Sequence, residues 1–181
     1  MSMLKEIIEI KRPFAEVWQY LDIARWPKVS PIFQEVEAAE GGMQVGAQYI
    51  VTAGPGEAKV KYNVEVIAYD QELGRLVYKR TGGPLPGTSE WSLTKTAAGT
   101  KVVYTNHYQH DMNSTVLSSI TRAMERFLTD MRNAIEKEEA GVRLFRRKIF
   151  LPRKLNSHES EWSLSWEFFF RGKRRGSVDA S

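Results

Sequence analysis

The chain has 181 residues, of which 42% are hydrophobic and none is cysteine. This length fits one domain with an extension or two very small domains, and the hydrophobic fraction is sufficient for a core. The absence of cysteine excludes disulfides and thiolate chemistry and fits a cytoplasmic protein. The first 14 residues carry charges every few positions, so we expect neither a signal peptide nor a transmembrane segment there.

Charge is unevenly distributed along the chain. Residues 1–139 contain 16 Lys and Arg against 18 Asp and Glu, whereas residues 140–181 contain 10 against 4. The net charge of +4 therefore originates in the C-terminal part. Because a nucleic-acid-binding domain needs a basic face on its folded body, we expect no nucleic-acid partner.

The first 31 residues predict a strand followed by two short helices. Residues 4–10 are rich in isoleucine, which favours a strand. Pro13 suits the first turn of a helix, and the apolar residues after it have helical spacing. We expect the two helices to separate near Asp22, and Pro27 and Pro31 to stop any continuation.

Residues 32–109 carry the signals of short strands separated by turns. The clearest strand is 59–70, in which Val60, Tyr62, Val64 and Val66 alternate with polar residues and should share one face. The short connections favour an antiparallel meander. The predicted strand segments are 32–42, 47–54, 59–70, 74–81, 89–96 and 99–109.

A long amphipathic helix is predicted over about residues 114–139. Its apolar residues, Met124 and Phe127 among them, recur at three- and four-residue spacing, and Asn113 and Ser114 are suitable caps. This helix must lie across the concave face of the sheet. Such a sheet rarely packs solid at both ends around one helix, so we expect a cavity between them.

This order of elements resembles the START-like superfamily, also called SRPBCC, and within it the polyketide cyclase/dehydrase-type and coenzyme Q-binding-type proteins. The resemblance implies an α+β helix-grip fold: a six- to seven-stranded antiparallel sheet curved around a long C-terminal helix, with two short helices after the first strand. It covers about residues 2–139, so we expect residues 1–139 to form the ligand-binding domain. It is carried by segments 13–31 (with Val17-Trp18 and Trp26-Pro27), 45–51, 74–93, 99–108 and the closing helix.

The resemblance further implies a hydrophobic cavity that binds a lipid, a quinone, a polyketide or another apolar small molecule. We expect no cofactor and no metal. The protein would then act as a carrier or a sensor. The residues expected to contact the ligand lie on the inner face of the sheet, on the long helix or in a loop at the rim: Tyr62, Val64, Tyr78, Arg80, Pro84, Leu85, Trp91, Tyr104, Asn106, Tyr108, Met124 and Phe127.

Three alternatives stay open. The tyrosines can be ordinary core residues, with Arg80 pointing to solvent beside Lys79. The same tyrosines and Arg80 can instead serve a polyketide cyclase or dehydratase by polarising a substrate carbonyl. The domain can also be a regulatory module that acts through a protein partner.

Two loops rich in glycine and proline, 53–56 and 82–87, are expected to flank the mouth of the cavity. In related plant hormone receptors two such loops close over the ligand, but the specific motifs of those receptors are absent here. Gating loops and ordinary turns both remain open interpretations.

Residues 107–111 form the only histidine cluster of the sequence, and a metal site there would need His107, His110 and Asp111 to converge. Residues three apart project to opposite faces of a strand, so these side chains converge only if the strand ends first. We therefore interpret the cluster as the end of a strand that leads into a helix cap.

The extension, residues 140–181, contains seven Phe and Trp among its 42 residues together with its excess of basic residues. This composition is typical of a segment at a membrane surface, so peripheral membrane contact through residues 143–175 is one expectation. A disordered extension without a function and a segment that packs on the body are the alternatives. The expected location is cytoplasmic, with or without peripheral association with a membrane.

Overall fold

The protein is described from a computed structural model, which covers residues 2–38, 41–54 and 59–149, with side chains up to residue 137. The helical segments are α1 (Phe14–Trp18), two 3₁₀ turns (Gln19–Leu21 and Ile23–Arg25), α2 (Trp26–Val29) and α3 (Ser114–Ile149). The strands are β1 (Met3–Ile10), β2 (Phe33–Ala38), β3 (Gln48–Ala53), β4 (Val60–Asp70), β5 (Arg75–Thr81), β6 (Gly87–Thr96) and β7 (Gly99–Tyr108).

The seven strands form one antiparallel sheet in the order β1-β7-β6-β5-β4-β3-β2. Strands β2 to β7 pair with their neighbours in the chain, and β1 joins the sheet beside the last strand, with Leu4 opposite Asn106. The helix-grip fold predicted from the sequence is confirmed, as are the long C-terminal helix and the short helices after the first strand.

The inner face of the sheet follows the predicted alternation. In β4, Val64 and Val66 are buried and the residues between and before them are exposed. A bulge between Val66 and Ala68 then shifts the register against β5, and Ile67, between them, is exposed. The bulge lies beyond the predicted inward residues, so their face is not inverted.

Two details of the helices differ from the predictions. Pro27 does not stop a helix but lies in the first turn of α2, where the missing N–H of proline costs nothing. Helix α3 does not end at Glu139 but continues to Ile149. Its predicted N-cap is correct, since the Asn113 side chain accepts a hydrogen bond of 2.8 Å from the backbone N–H of Val116.

The extension beyond that helix, residues 150–181, lies outside the described residues, as do the side chains from residue 138 onwards. The predicted membrane contact through residues 143–175 therefore stays a prediction. Within the described segments, no helix combines the length and apolar character that crossing a membrane requires.

Helix α3 packs unevenly along its length. Phe127 and Met131 on its inner face are completely buried, whereas Leu117, Ile120 and Met124 nearer its N-terminus are only partly buried. The helix begins beside the end of β7 and reaches the far end of the sheet near residue 136, where the Glu136 carboxylate accepts a hydrogen bond from the backbone N–H of Lys11. One end of the sheet is therefore closed tightly by α3 and the other is not.

Candidate ligand-binding site

A group of polar side chains lies at the loosely covered end of the sheet. Arg80 is near the end of β5 and faces Gly87 at the start of β6, which in turn faces Tyr108 at the end of β7. Tyr62 is near the start of β4, two residues before Val64, the partner of Arg80. Four neighbouring strands thus bring residues that are distant in sequence to one end of the inner face.

These polar side chains form a connected hydrogen-bond network. Arg80 Nη2 donates to Asn106 Oδ1 over 2.5 Å, and the Ser89 hydroxyl donates to the same oxygen over 3.2 Å. The Tyr104 hydroxyl donates to Ser89 Oγ over 3.3 Å, and Asn106 Nδ2 donates to the Tyr108 hydroxyl over 2.8 Å. The amide of Asn106 is therefore held by three partners at the centre of the network.

Arg80 is buried, with 8% of its surface exposed, so the alternative that it points to solvent is wrong. Its guanidinium carbon lies 5.1 Å from the centre of the Tyr108 ring, at a distance typical of a cation–π contact. Its Nε is buried without a hydrogen-bond partner. The ion pairs found in the described part of the chain join other residues, and none of them includes Arg80.

The tyrosines around Arg80 are held in the neutral form. Burial raises the pKa of Tyr62 and that of Tyr104, the proximity of Tyr78 adds to both shifts, and the positive charge of Arg80 opposes them. Burial also raises the pKa of Tyr108, although Arg80 again opposes the shift. At neutral pH these hydroxyls donate and accept hydrogen bonds but supply no negative charge to Arg80.

The middle of the space between sheet and helices is filled by aromatic rings. Phe127 meets Phe33 with ring centres 4.7 Å apart and meets Trp26 at 5.4 Å, while Trp91 lies 4.7 Å from Tyr104. The indole Nε1 atoms of Trp26 and Trp91 are buried without a partner. The cluster separates the tightly packed end of the core from the end that holds Arg80.

Partly buried apolar side chains lie on the sheet, in the connections and on the first turns of α3. The β5–β6 loop packs closely against β4: a Cβ at Gly83 would lie only 3.1 Å from Tyr62 Cβ. Both Gly82 and Gly83 have positive φ, which favours glycine at these positions. The loop thus covers the end of the sheet next to Tyr62. The apolar residues that pack only partly against the core include Tyr62, Leu85, Met112, Leu117, Ile120 and Met124.

The structure brings most of the residues predicted for the site to one face, although their role in binding stays a prediction. Pro84 is exposed in the β5–β6 loop, and Tyr62, Leu85 and Met124 are partly buried. The remaining eight are buried: Val64, Tyr78, Arg80, Trp91, Tyr104, Asn106, Tyr108 and Phe127.

Ser89 was missed by the prediction, although its hydroxyl links Tyr104 to Asn106. The predicted strand begins at residue 89, whereas β6 already begins at Gly87. The alternation of Ser89 with Trp91 and Leu93 placed it on the inner face, but a serine in a strand gives no signal of a buried role.

Two other predictions concerned the first glycine-proline loop and the histidine cluster. Residues 55 and 56 of the first glycine-proline loop, 53–56, lie outside the described residues. His107, His110 and Asp111 are exposed at the end of β7 and in the following connection. In the described ranges of the chain, no three His, Asp or Glu side chains stand close enough together to hold a metal ion.

An open groove of about 1630 Å³ lies at the opposite end of the sheet, around the β4–β5 and β6–β7 turns and the start of α1. Lys11, Asp70 and Leu73 are among its lining residues, and Leu73 is 74% exposed. Its position at exposed turns differs from that of the buried polar network. We therefore place the candidate site at the Arg80 end.

Comparison with known proteins agrees with this architecture. Residues 3–136 match the family described as polyketide cyclase / dehydrase and lipid transport. The chain belongs to this family, which confirms the resemblance to the START-like superfamily. No curated protein matches the sequence significantly.

Solved structures with the same fold share little sequence with this chain. Ara h 8.0201 is 18% identical with a TM-score of 0.62, over 75% of this chain and 98% of that one. The Zhui aromatase/cyclase from Streptomyces sp. R1128 is 15% identical with a TM-score of 0.65, over 75% and 94%. The protein TTHA0849 from Thermus thermophilus is 16% identical with a TM-score of 0.65, over 76% and 99%. Likeness at these identities establishes the fold alone.

Proposed function

We propose that the protein binds a lipid-, quinone- or polyketide-like molecule between the sheet and the first turns of α3, residues 114–124, as a carrier or a sensor. The observation that supports this proposal is the uneven packing of α3. Leu117, Ile120 and Met124 are only partly buried next to a buried polar network, whereas Phe127 and Met131 are completely buried. An apolar wall with a few fixed polar groups is what a site for such a ligand needs.

The first test is to identify what the protein carries. The purified protein is analysed by native mass spectrometry, and anything that co-purifies is extracted and identified. We expect an apolar compound in stoichiometric amount. An empty protein that also binds no member of a panel of lipids, quinones and aromatic polyketides would contradict the proposal.

A pair of variants locates the site. Met124→Trp adds bulk to the partly open end of the inner face, and we expect it to weaken ligand binding strongly. Ser118→Trp adds the same side chain at an exposed position on the other side of α3 and should leave binding intact. Equal loss of binding in both variants would place the ligand elsewhere.

An enzyme of the cyclase or dehydratase type is the second candidate, favoured by one observation. A buried guanidinium lies beside neutral tyrosine hydroxyls, and this pair can polarise a carbonyl and donate a proton to it. Tyr108→Phe distinguishes the candidates, since an enzyme that uses this hydroxyl should retain binding and lose turnover. Recovery of an unchanged ligand after long incubation with the wild type supports the carrier.

A further inference from the structure

We infer that the ligand is an amphiphile with a carboxylate at its polar end, and that Arg80 is the residue that receives this carboxylate. The inference rests on the proposed function, because it specifies the chemistry of the ligand in that site. It is carried by the charge around Arg80, by the type of polar groups left without partners, and by the position of the apolar wall.

The positive charge of Arg80 is not compensated by the protein residues described around it. The groups that contact it, the Asn106 amide and the Tyr108 ring, are neutral. Glu16, Asp22, Glu37 and Glu90 form ion pairs in the described segments, and each pairs with a cation other than Arg80. Because a buried charge without a counter-charge opposes folding, the site is expected to gain stability when an anion enters.

The polar groups left over at this site are donors. Arg80 Nε is buried and unpartnered, and so are the indole Nε1 atoms of Trp26 and Trp91 in the adjoining aromatic cluster. The acceptor of Arg80 Nη2, Asn106 Oδ1, is already shared, because it also accepts from the Ser89 hydroxyl. A ligand that fits this site must therefore bring acceptor oxygens, and a carboxylate offers two in the geometry that a guanidinium prefers.

The guanidinium is held in place before the ligand arrives. The Tyr108 ring and Asn106 fix it on one side, and a Cβ on Gly87 would lie 3.1 Å from Arg80 Nη2. The absence of a side chain at Gly87 allows the guanidinium to lie against the backbone of β6. A preorganised cation loses little entropy on binding, which raises its affinity for an anion that reaches it.

The charge and the surroundings together select a carboxylate with an apolar body. A single guanidinium matches the single negative charge of a carboxylate, whereas a phosphate brings up to two. The partly buried side chains of Tyr62, Leu85 and Met124 offer apolar surface for the rest of the molecule at the same end of the sheet. Long-chain fatty acids and polycyclic aromatic acids both combine one carboxylate with an apolar body.

The experiment compares each acid with its own methyl ester on the full-length protein after removal of bound lipid. The probes are dodecanoic acid, 11-(dansylamino)undecanoic acid and anthracene-2-carboxylic acid, each with its ester, and affinity is measured by calorimetry or fluorescence. We expect at least one acid to bind about 10-fold or more tightly than its ester, since hydrogen bonds to a charged group are stronger than those to a neutral one. The same acid should raise the Tm of the wild type more than its ester does.

Two variants test the role of Arg80. Arg80→Met keeps much of the length of the side chain and removes the charge, so we expect the preference for the acid to disappear while the ester still binds. Lys79→Met removes the same charge from the adjacent exposed residue and should keep the preference. Loss of the preference in both variants would show general attraction by the net charge and overturn the inference.

The outcomes separate this inference from the proposed function. If acid and ester bind the wild type equally well, the carboxylate inference is wrong and the apolar site stands. If no acid and no ester of the three pairs binds, the proposed function fails together with the inference. The comparison of acid with ester needs only the wild type, so it holds even if Arg80→Met does not fold.

Discussion

Two methionines on α3 test whether one end of the core is really less tightly packed. Met124 and Met131 are seven residues apart, close to two turns of helix, and so lie on the same face. Met131 is 0% exposed, whereas Met124 is only partly buried. Replacing each with alanine removes the same atoms from the same face of the same helix, so the difference reports the packing at each end.

The structure predicts unequal costs for the two replacements. Met131→Ala leaves a closed cavity in the core and should lower the free energy of unfolding by about 3 kcal/mol. Met124→Ala loses roughly half of the transfer free energy of a buried side chain and leaves no closed cavity, which amounts to about 1 kcal/mol. For a chain of this size the expected decreases in Tm are about 6–12 °C and about 2–4 °C respectively.

The assay is urea or thermal unfolding of the ligand-free protein, followed by the fluorescence of its buried tryptophans. Because a bound ligand stabilises the folded state, lipid must be removed from all samples before the measurement. Equal losses in the two variants would show that α3 packs as tightly at Met124 as at Met131. That result would remove the main support for a site at this end.

Two further predictions follow from close contacts and buried hydroxyls. In Gly87→Ala the new Cβ would lie 2.1 Å from the backbone oxygen of His107 and should disturb the pairing of β6 with β7. Both the Tm and the preference for an acid should therefore fall. Thr88→Ala, one residue further along β6, is the control, and an unchanged Tm for Gly87→Ala would contradict the predicted clash. Burial raises the pKa values of Tyr49, Tyr62, Tyr104 and Tyr108 above the ordinary 10.0, so the folded state keeps these protons after the unfolded chain has lost them. The contribution of these tyrosines to the free energy of unfolding should therefore be fully present below pH 10 and be lost as the pH rises through the raised pKa values. Phenolate absorbance should show that some of the seven tyrosines ionise only when the protein unfolds. Simultaneous ionisation of all seven in the folded protein would refute this.

Much of the fold could be predicted because local patterns determine which way side chains point. The alternation in β4 places Tyr62, Val64 and Val66 on one face whatever the neighbouring strands are, since successive residues in a strand point to opposite faces. The apolar spacing over residues 114–139 predicts a helix that must cover that face. Arg80 falls on the inner face by the same alternation from Tyr78.

Some local signals had two meanings, and only the folded context decided between them. Pro27 is compatible with ending one helix and with beginning the next, and it begins α2 because it stands in the first turn of that segment. Arg80 beside Lys79 is compatible with an exposed pair, and burial of Arg80 depends on the strands on either side of it.

The number and type of most elements and the inner face of the sheet follow from local sequence patterns, because they depend on residues close together in the chain. The tertiary structure alone decided the polar network, since Arg80 and Asn106 are 26 residues apart and meet only through the register of β5, β6 and β7. It also decided where α3 packs tightly, which depends on the aromatic rings of α2, β2 and β6 that reach Phe127. Contacts between distant residues arise from the pairing of whole strands and helices, and no short stretch of sequence contains that information.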